Sequence, residues 1–288
     1  MVSQAGQTSK LASSQDHTLH HPRILCLHGG GSNGDIFRAQ ARALIKNLPR
    51  FRLVFADAPF YCAPGPGIVP VYESWGPFRR WLRWLPEHTE IDDELAAEEV
   101  LYNIDVCKRR DAGDGAWVGL LGFSQGAKLA ASLLYDQQIR TEKEGRASTT
   151  DYKFAVLLAG RSPLVSFSEH SRHPTLATPG AGGLGEHFSN PYSSPHVLSL
   201  PTIHVHGLND AGLALHRKML EQYHDKESVT LIEWDGTHRV PIKTKDVERV
   251  TREIYRVARE QGVQLPGEAW KETRRDSGNF QDGSLGCH

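Results

Sequence analysis

Short apolar runs alternate along the chain with longer segments whose apolar positions recur at helical spacing. Arg23 to Leu27 (RILCL) is a β-prone run ending at His28-Gly29-Gly30-Gly31, the pattern of a buried strand entering a tight turn. Asp35 to Leu48 places Ile36, Ala39, Ala43 and Leu44 at helical spacing, and Pro49 closes that helix. Arg52 to Phe55 (RLVF) reads as a second strand, stopped by the proline of Ala56-Asp57-Ala58-Pro59. Ile91 to Arg109 is helical through Leu95, Val100, Leu101, Ile104 and Val106, with acidic residues at its start that suit the helix dipole.

The alternation continues in the second half. Trp117 to Leu121 (WVGLL) predicts a strand and Gly126 to Tyr135 a helix, while Gln137 to Thr150 is polar and reads as a surface excursion. Phe154 to Ala159, Thr202 to His206 and Val229 to Trp234 predict further strands, with helices over Ala214 to His224 and Val247 to Glu260. Strands that alternate with helices imply an α/β fold with a mainly parallel central sheet, right-handed crossovers and helices on both faces.

Two stretches interrupt this rhythm. Residues 60–90 mix prolines and glycines with aromatic side chains, and residues 161–200 are rich in Ser, Pro, Gly and His. Both read as loops forming a pocket wall or lid, with Phe60, Tyr72, Trp75, Phe78 and Trp81 as candidate substrate contacts. The expected organisation is a flexible leader over 1–21, one α/β domain over 22–262, and a flexible polar tail over 263–288.

Composition narrows the partners. The 33 Lys+Arg against 34 Asp+Glu leave a net charge of −1, so no global field draws the protein to nucleic acid or an anionic membrane. Apolar runs fall far short of the roughly 20 residues of a membrane span. The leader lacks the apolar segment of a secretory signal, so a cytoplasmic location is expected. Cys26, Cys62, Cys107 and Cys287 form no CxxC pair and are expected to be reduced thiols, with Cys26 buried. No metal or cofactor is expected.

The strongest chemical signal is Gly122-Phe123-Ser124-Gln125-Gly126, a G-x-S-x-G motif between an apolar strand and a small-residue helix. On its own the pentapeptide also fits an ordinary strand-turn-helix. A serine hydroxyl becomes a useful nucleophile only beside a base, and the base needs a partner that fixes its tautomer. The required chain order is serine, acid, histidine. Asp210 follows the strand TIHVH and His238 follows the strand VTLIEW, so both lie at the strand edge that carries Ser124.

Other residues compete for these roles. Asp210 also suits a helix cap, Asn209 and Asp235 are rival partners for the histidine, and His238 is one of 15 histidines. The oxyanion donors are expected to be the backbone N–H groups of Gly30 and Gln125. No G-x-x-x-x-G-K-[ST] follows the glycine run, which argues against nucleotide binding. His204 and His206 share a strand face without a carboxylate or cysteine to complete a metal set, so packing is their expected role.

Together, LCLHGGGSNGDIFRAQ, FADAPF, GFSQG, HVHGLND and DGTHRVP resemble the fungal serine hydrolase family, over about Arg23 to Glu260. That family is similar in fold to carboxylesterases and acyl-protein thioesterases, and includes stand-alone thioesterases of polyketide gene clusters, such as the one that releases the lovastatin side-chain polyketide. The resemblance implies ester or thioester hydrolysis with Ser124, Asp210 and His238 as triad and Gly30 and Gln125 at the oxyanion. It also implies a small-molecule acyl substrate and, as a partner, the acyl carrier domain of a polyketide synthase. A general carboxylesterase and a non-catalytic ligand-binding homologue stay open as alternatives. The triple glycine, where the family often has a bulkier residue after His-Gly, suggests an enlarged or looser pocket floor.

Overall fold

The computed structural model describes residues 16–144, 149–172, 178–184 and 197–268. In chain order the elements are β1 (Arg23–Leu27), α1 (Gly34–Gln40), α2 (Arg42–Asn47), β2 (Arg52–Ala56), β3 (Phe60–Tyr61), β4 (Arg79–Arg80) and α3 (Asp93–Arg110). Then come β5 (Trp117–Phe123), α4 (Gln125–Glu144), β6 (Phe154–Leu158), β7 (Thr202–Gly207), α5 (Leu213–Tyr223), β8 (Val229–Trp234) and α6 (Thr244–Glu260).

Six strands form one parallel sheet in the order β2-β1-β5-β6-β7-β8. Successive side chains of a strand point to opposite faces, and β1 shows how both faces are used. Leu25 and Leu27 join the core layer beneath α3 and α4, while Ile24 and Cys26 join the layer beneath α1, α2 and α6. On α6 the buried Val247, Val250, Ile254, Val257 and Ala258 recur at helical spacing, which gives that helix its inward face. Each such buried aliphatic side chain larger than alanine contributes about 1.5–3 kcal/mol relative to exposure.

The structure redraws several expected boundaries. The helix expected over Asp35 to Leu48 is broken at Ala41, where the backbone leaves helical geometry (φ −85°, ψ 5°). Phe37 and Leu44, on either side of the break, are both fully buried.

Helix α4 runs to Glu144, so the polar stretch from Gln137 is helix and not a surface excursion as far as it is described. Polar residues are tolerated there because they are hydrogen-bonded inside. Gln137 donates to Tyr152 O at 2.9 Å and accepts from Tyr152 N–H at 2.8 Å, and Asp136 accepts from Ser171 Oγ at 2.8 Å. Residues 145–148 lie outside the described residues.

The leader and tail also begin and end differently. Asp16 accepts from Arg52 at 2.6 Å, which pins a turn over residues that read as mobile leader. Val263 and Leu265 are buried, and Glu268 accepts from Arg50 at 2.7 Å and Arg259 at 2.8 Å. A polar composition hides such anchors because ion pairs, not apolar runs, supply them. The remaining leader (1–15) and tail (269–288), with Cys287, lie outside the described residues.

Residues 60–90 are not wholly irregular, since β3 and β4 pair as an antiparallel ribbon and Glu73–Trp75 forms a single helical turn. The described parts of 161–200 pack against the helical layer: Leu164, Val165 and Phe167 are buried, Val165 N–H donates to Ser132 Oγ on α4, and Gly182 N–H donates to Asp93 on α3. Residues 173–177 and 185–196 of that segment lie outside the described residues. Among the described residues, no helix is long and apolar enough to cross a membrane, and Cys26, Cys62 and Cys107 are unpaired.

Candidate active site

Because every strand of the sheet runs the same way, the turns after β5, β7 and β8 open on one edge. Ser124 occupies the turn between β5 and α4 with φ at +54°, a left-handed conformation that non-glycine residues rarely adopt. Its N–H donates to Leu158 O at 2.8 Å, which ties the turn to the end of β6. The two motif glycines make this crossing possible. A Cβ on Gly122 would come within 2.2 Å of Gly126 O, and one on Gly126 within 2.0 Å of Leu27 O.

The structure brings together the three residues expected to form the triad. His238 Nε2 lies 2.9 Å from Ser124 Oγ, and His238 Nδ1 lies 2.6 Å from Asp210 Oδ2. A carboxylate only accepts, so Nδ1 carries the ring proton and Nε2 faces the serine hydroxyl as an acceptor. Burial holds the imidazole below the usual histidine range, against the opposing pull of the Asp210 carboxylate. The resting ring is therefore neutral at physiological pH, the form able to accept a proton.

Asp210 is buried, and burial alone pushes its carboxyl upward. Hydrogen bonds from Gly212 N–H (2.7 Å), His216 Nε2 (2.9 Å) and His238 Nδ1 outweigh that and hold it at about 2. Asp210 thus also serves the turn before α5, the bland role its position suggested. Its rivals are engaged with each other: Asn209 donates to Asp235 at 2.8 Å, and both residues are exposed.

The glycine loop stands beside the Ser124 turn, where a Cβ on Gly29 would fall 3.5 Å from Ser124 Cβ. His28 anchors it from beneath. His28 Nδ1 donates to Gly29 O at 2.7 Å and Nε2 accepts Ala58 N–H at 3.1 Å, while burial lowers the ring to about 4 and keeps it neutral. Gly31 N–H donates to Arg79 O at 2.9 Å.

The expected loose pocket floor is not there. A Cβ on Gly30 would meet Trp84 Cζ3 at 2.7 Å, and one on Gly31 would meet Gly65 N at 2.0 Å. An indole and a neighbouring backbone fill the space that the missing side chains leave.

Of the aromatic candidates, Trp81 is corrected outright. Its side chain is fully buried and donates from Nε1 to His28 O at 3.0 Å, so it supports the glycine loop instead of lining a pocket. Phe60 lies under the Arg80 guanidinium at 4.8 Å and packs on the core. Tyr72 and Trp75 meet edge to face at 5.3 Å, and Trp75 borders a surface depression with Asp35, Arg38 and Arg42 whose lining does not include Ser124. Phe78 is half-buried beside Gly76. The residues that sequence reasoning missed are Trp84 on Gly30, the Gln125 side chain, which accepts Trp81 N–H at 2.7 Å, and His216 on Asp210. His204 and His206 are buried on β7, where His204 packs against the His224 ring at 4.4 Å.

Comparison with known proteins agrees with this geometry. The family described as serine hydrolase (FSH1) matches residues 17–250. The chain belongs to the FSH1 serine hydrolase family. Among curated relatives, "Esterase citA" of Monascus ruber is 50% identical over 254 residues, covering 86% of this chain and 96% of the relative. "Esterase claE" of Penicillium crustosum is 48% identical over 256 residues, covering 85% and 96%. A solved structure, acyl-protein thioesterase 2 of Zea mays, shares the fold with a TM-score of 0.51 and 17% identity over 83% of this chain and 94% of that one. This FSH1 protein is thus a hydrolytic enzyme with the α/β-hydrolase fold.

Proposed function

We propose that this FSH1 enzyme cleaves an acyl thioester or ester through an acyl-Ser124 intermediate, and that its substrate is a carrier-bound polyketide intermediate. The observation that carries the chemistry is the unbroken hydrogen-bond chain from Ser124 Oγ through His238 to Asp210, on a serine held at φ +54°. Ser124 Oγ attacks the acyl carbonyl as its proton passes to His238 Nε2. Asp210 holds the imidazole and stabilises the imidazolium that forms. The N–H groups of Gly30 and Gln125 receive the oxyanion, and Gln125 opens α4, whose positive end favours that charge. Collapse of the tetrahedral intermediate expels the thiolate or alkoxide, which leaves with the proton from Nε2. Water then attacks the acyl-serine by the reverse sequence and releases the acid.

The polyketide part rests on the resemblance to polyketide-cluster thioesterases, and the thioester part on that resemblance alone. A plain carboxylesterase is the second reading, favoured by the names of the curated relatives. Hydrolysis of one acyl chain presented as an N-acetylcysteamine thioester and as the matched oxygen ester separates the two. A higher kcat/KM on the thioester, rising further when the acyl group is loaded on a carrier domain, supports the proposal. Preference for the oxygen ester with no gain from the carrier supports the second reading. A fluorophosphonate probe should label the wild type and not Ser124→Ala, and equal labelling of both would remove Ser124 from its role.

A further inference from the structure

His216, on the first turns of α5, is fully buried and stands directly behind the acid of the triad. Its Nε2 lies 2.9 Å from Asp210 Oδ2, the same oxygen that His238 Nδ1 approaches to 2.6 Å. Its other nitrogen, Nδ1, lies 2.8 Å from Gly160 O at the end of β6. A carboxylate oxygen and a carbonyl oxygen can only accept, so both nitrogens of His216 must donate, and an imidazole that donates twice is an imidazolium.

We propose that His216 is a charged positioning residue of this hydrolase, an imidazolium that locks the Asp210 carboxylate in the triad plane. The proposal deepens the serine-hydrolase reading and rests on it, but not on the identity of the acyl group. With His216 in place, Asp210 is donated to from three sides: Gly212 N–H on Oδ1, and the two imidazoles on Oδ2. The carboxylate cannot rotate without breaking at least one charge-assisted bond. Its negative charge is shared between two rings, so His238 at rest receives less of it than in an isolated pair. His238 is accordingly held below the usual histidine range, by burial first and with His216 among the positive groups that act in the same direction.

The remaining groups around His216 leave this assignment standing. From β7, the His206 ring lies tilted at 5.6 Å and is neutral, burial holding it at about 4. From the loop after β8, the His238 ring lies 6.0 Å away and nearly parallel. Arg161, after β6, approaches Gly212 and adds positive charge near His238. On α5, Arg217 pairs with Glu233 of β8 at 2.7 Å. Asp210 is therefore the carboxylate that contacts the buried imidazolium, and the pair is neutral as a unit.

A merely structural histidine and a charged one predict different pH profiles. His238 must be neutral to act, so activity falls as pH drops through its folded-state pKa. His216→Gln keeps a donor toward Asp210 but removes the positive charge, so His238 becomes easier to protonate. The acidic limb should then move to higher pH, by roughly 0.5–1 unit for a charge change at this distance. His216→Ala should lower the rate by roughly 10–100-fold, since the acid loses its brace.

Both are read as the pH-dependent rate at which a fluorophosphonate modifies Ser124, with circular dichroism as the fold control. That readout needs no knowledge of the substrate. Failure of the wild type to label would sink the serine assignment, whereas a folded His216→Gln with an unmoved acidic limb would overturn the role of His216. Should the variants not fold, wild-type enzyme labelled with 15N-histidine decides the question at pH 7.5. The imidazolium requires two protonated ring nitrogens on His216, and one unprotonated nitrogen would overturn it.

Discussion

Gln125 and Leu82 exchange two hydrogen bonds: Leu82 N–H donates to Gln125 Oε1 at 3.1 Å, and Gln125 Nε2 donates to Leu82 O at 3.0 Å. With Trp81 N–H on the same oxygen, the residue next to Ser124 becomes the anchor of the segment after β4. Gln125→Ala would leave two buried backbone donors and a carbonyl without partners. Unfolding in urea should show a loss of about 1–3 kcal/mol, with a fall in kcat/KM. An unchanged urea midpoint would show that water replaces the amide at no cost.

Trp84 lies where a methyl group on Gly30, a proposed oxyanion donor, would have to go. Gly30→Ala is expected to cost on the order of 100-fold in kcat, the usual effect of displacing one oxyanion donor. Adding Trp84→Leu should recover part of that loss by clearing the collision. Strict additivity of the two substitutions in a double-mutant cycle would show that the indole is not what excludes the side chain.

Replacing Asp210 by asparagine removes the charge that both histidines share. The amide can accept one imidazole N–H but does not stabilise the His238 imidazolium. A fall in kcat of roughly 10⁴ is expected. Single-turnover measurements should place the loss in the acylation step, and a rate near wild type would transfer the role to another carboxylate.

The pH profile of the wild type follows from the His238 environment. Its proton affinity is lowered in the folded enzyme, by burial above all, so the acidic limb of kcat/KM should have its midpoint below 6.5. A midpoint above 6.5 would mean that the Asp210 carboxylate outweighs burial.

Stability should depend on pH through other histidines. His28 and His224 are each held near 4 by burial, against 6.5 for an exposed ring. In that window the unfolded chain binds more protons than the folded one, so stability is full above about 6.5 and declines as pH falls toward 4. Each ring accounts for on the order of 3 kcal/mol across that range. Urea midpoints between pH 7.5 and 4.5 should fall accordingly. His224→Leu should flatten the decline, and a parallel decline in that variant would point to carboxylates instead.

The convergence of Ser124, Asp210 and His238 was legible in the sequence because a parallel sheet turns chain order into spatial neighbourhood: each of the three follows an apolar run, and those runs end on one edge. Strand positions were readable for the same reason, since buried strands are nearly all apolar. Polar residues with interior partners were not readable. Gln137 looks like surface until Tyr152 folds back on it, and Asp16 looks like leader until Arg52 meets it. His216 carried one faint signal, its place six residues after Asp210, where the first turns of a helix can bring a side chain back toward its own entry loop. Trp81 and Trp84 could not be told apart, because a proline-rich stretch has no period from which to read inside and outside.

The loops that carry Asp210 and His238 are stitched together by Leu208 N–H to Trp234 O, Asn209 N–H to Gly236 O, and the Asn209–Asp235 pair. They extend the pairing of β7 with β8 past the end of the sheet and behave as one mechanical part. Most of these stitches are backbone groups, indifferent to the side chains they carry. Exposed neighbours such as Leu208 and Thr237 can therefore be exchanged without loosening the spacing between Asp210 and His238.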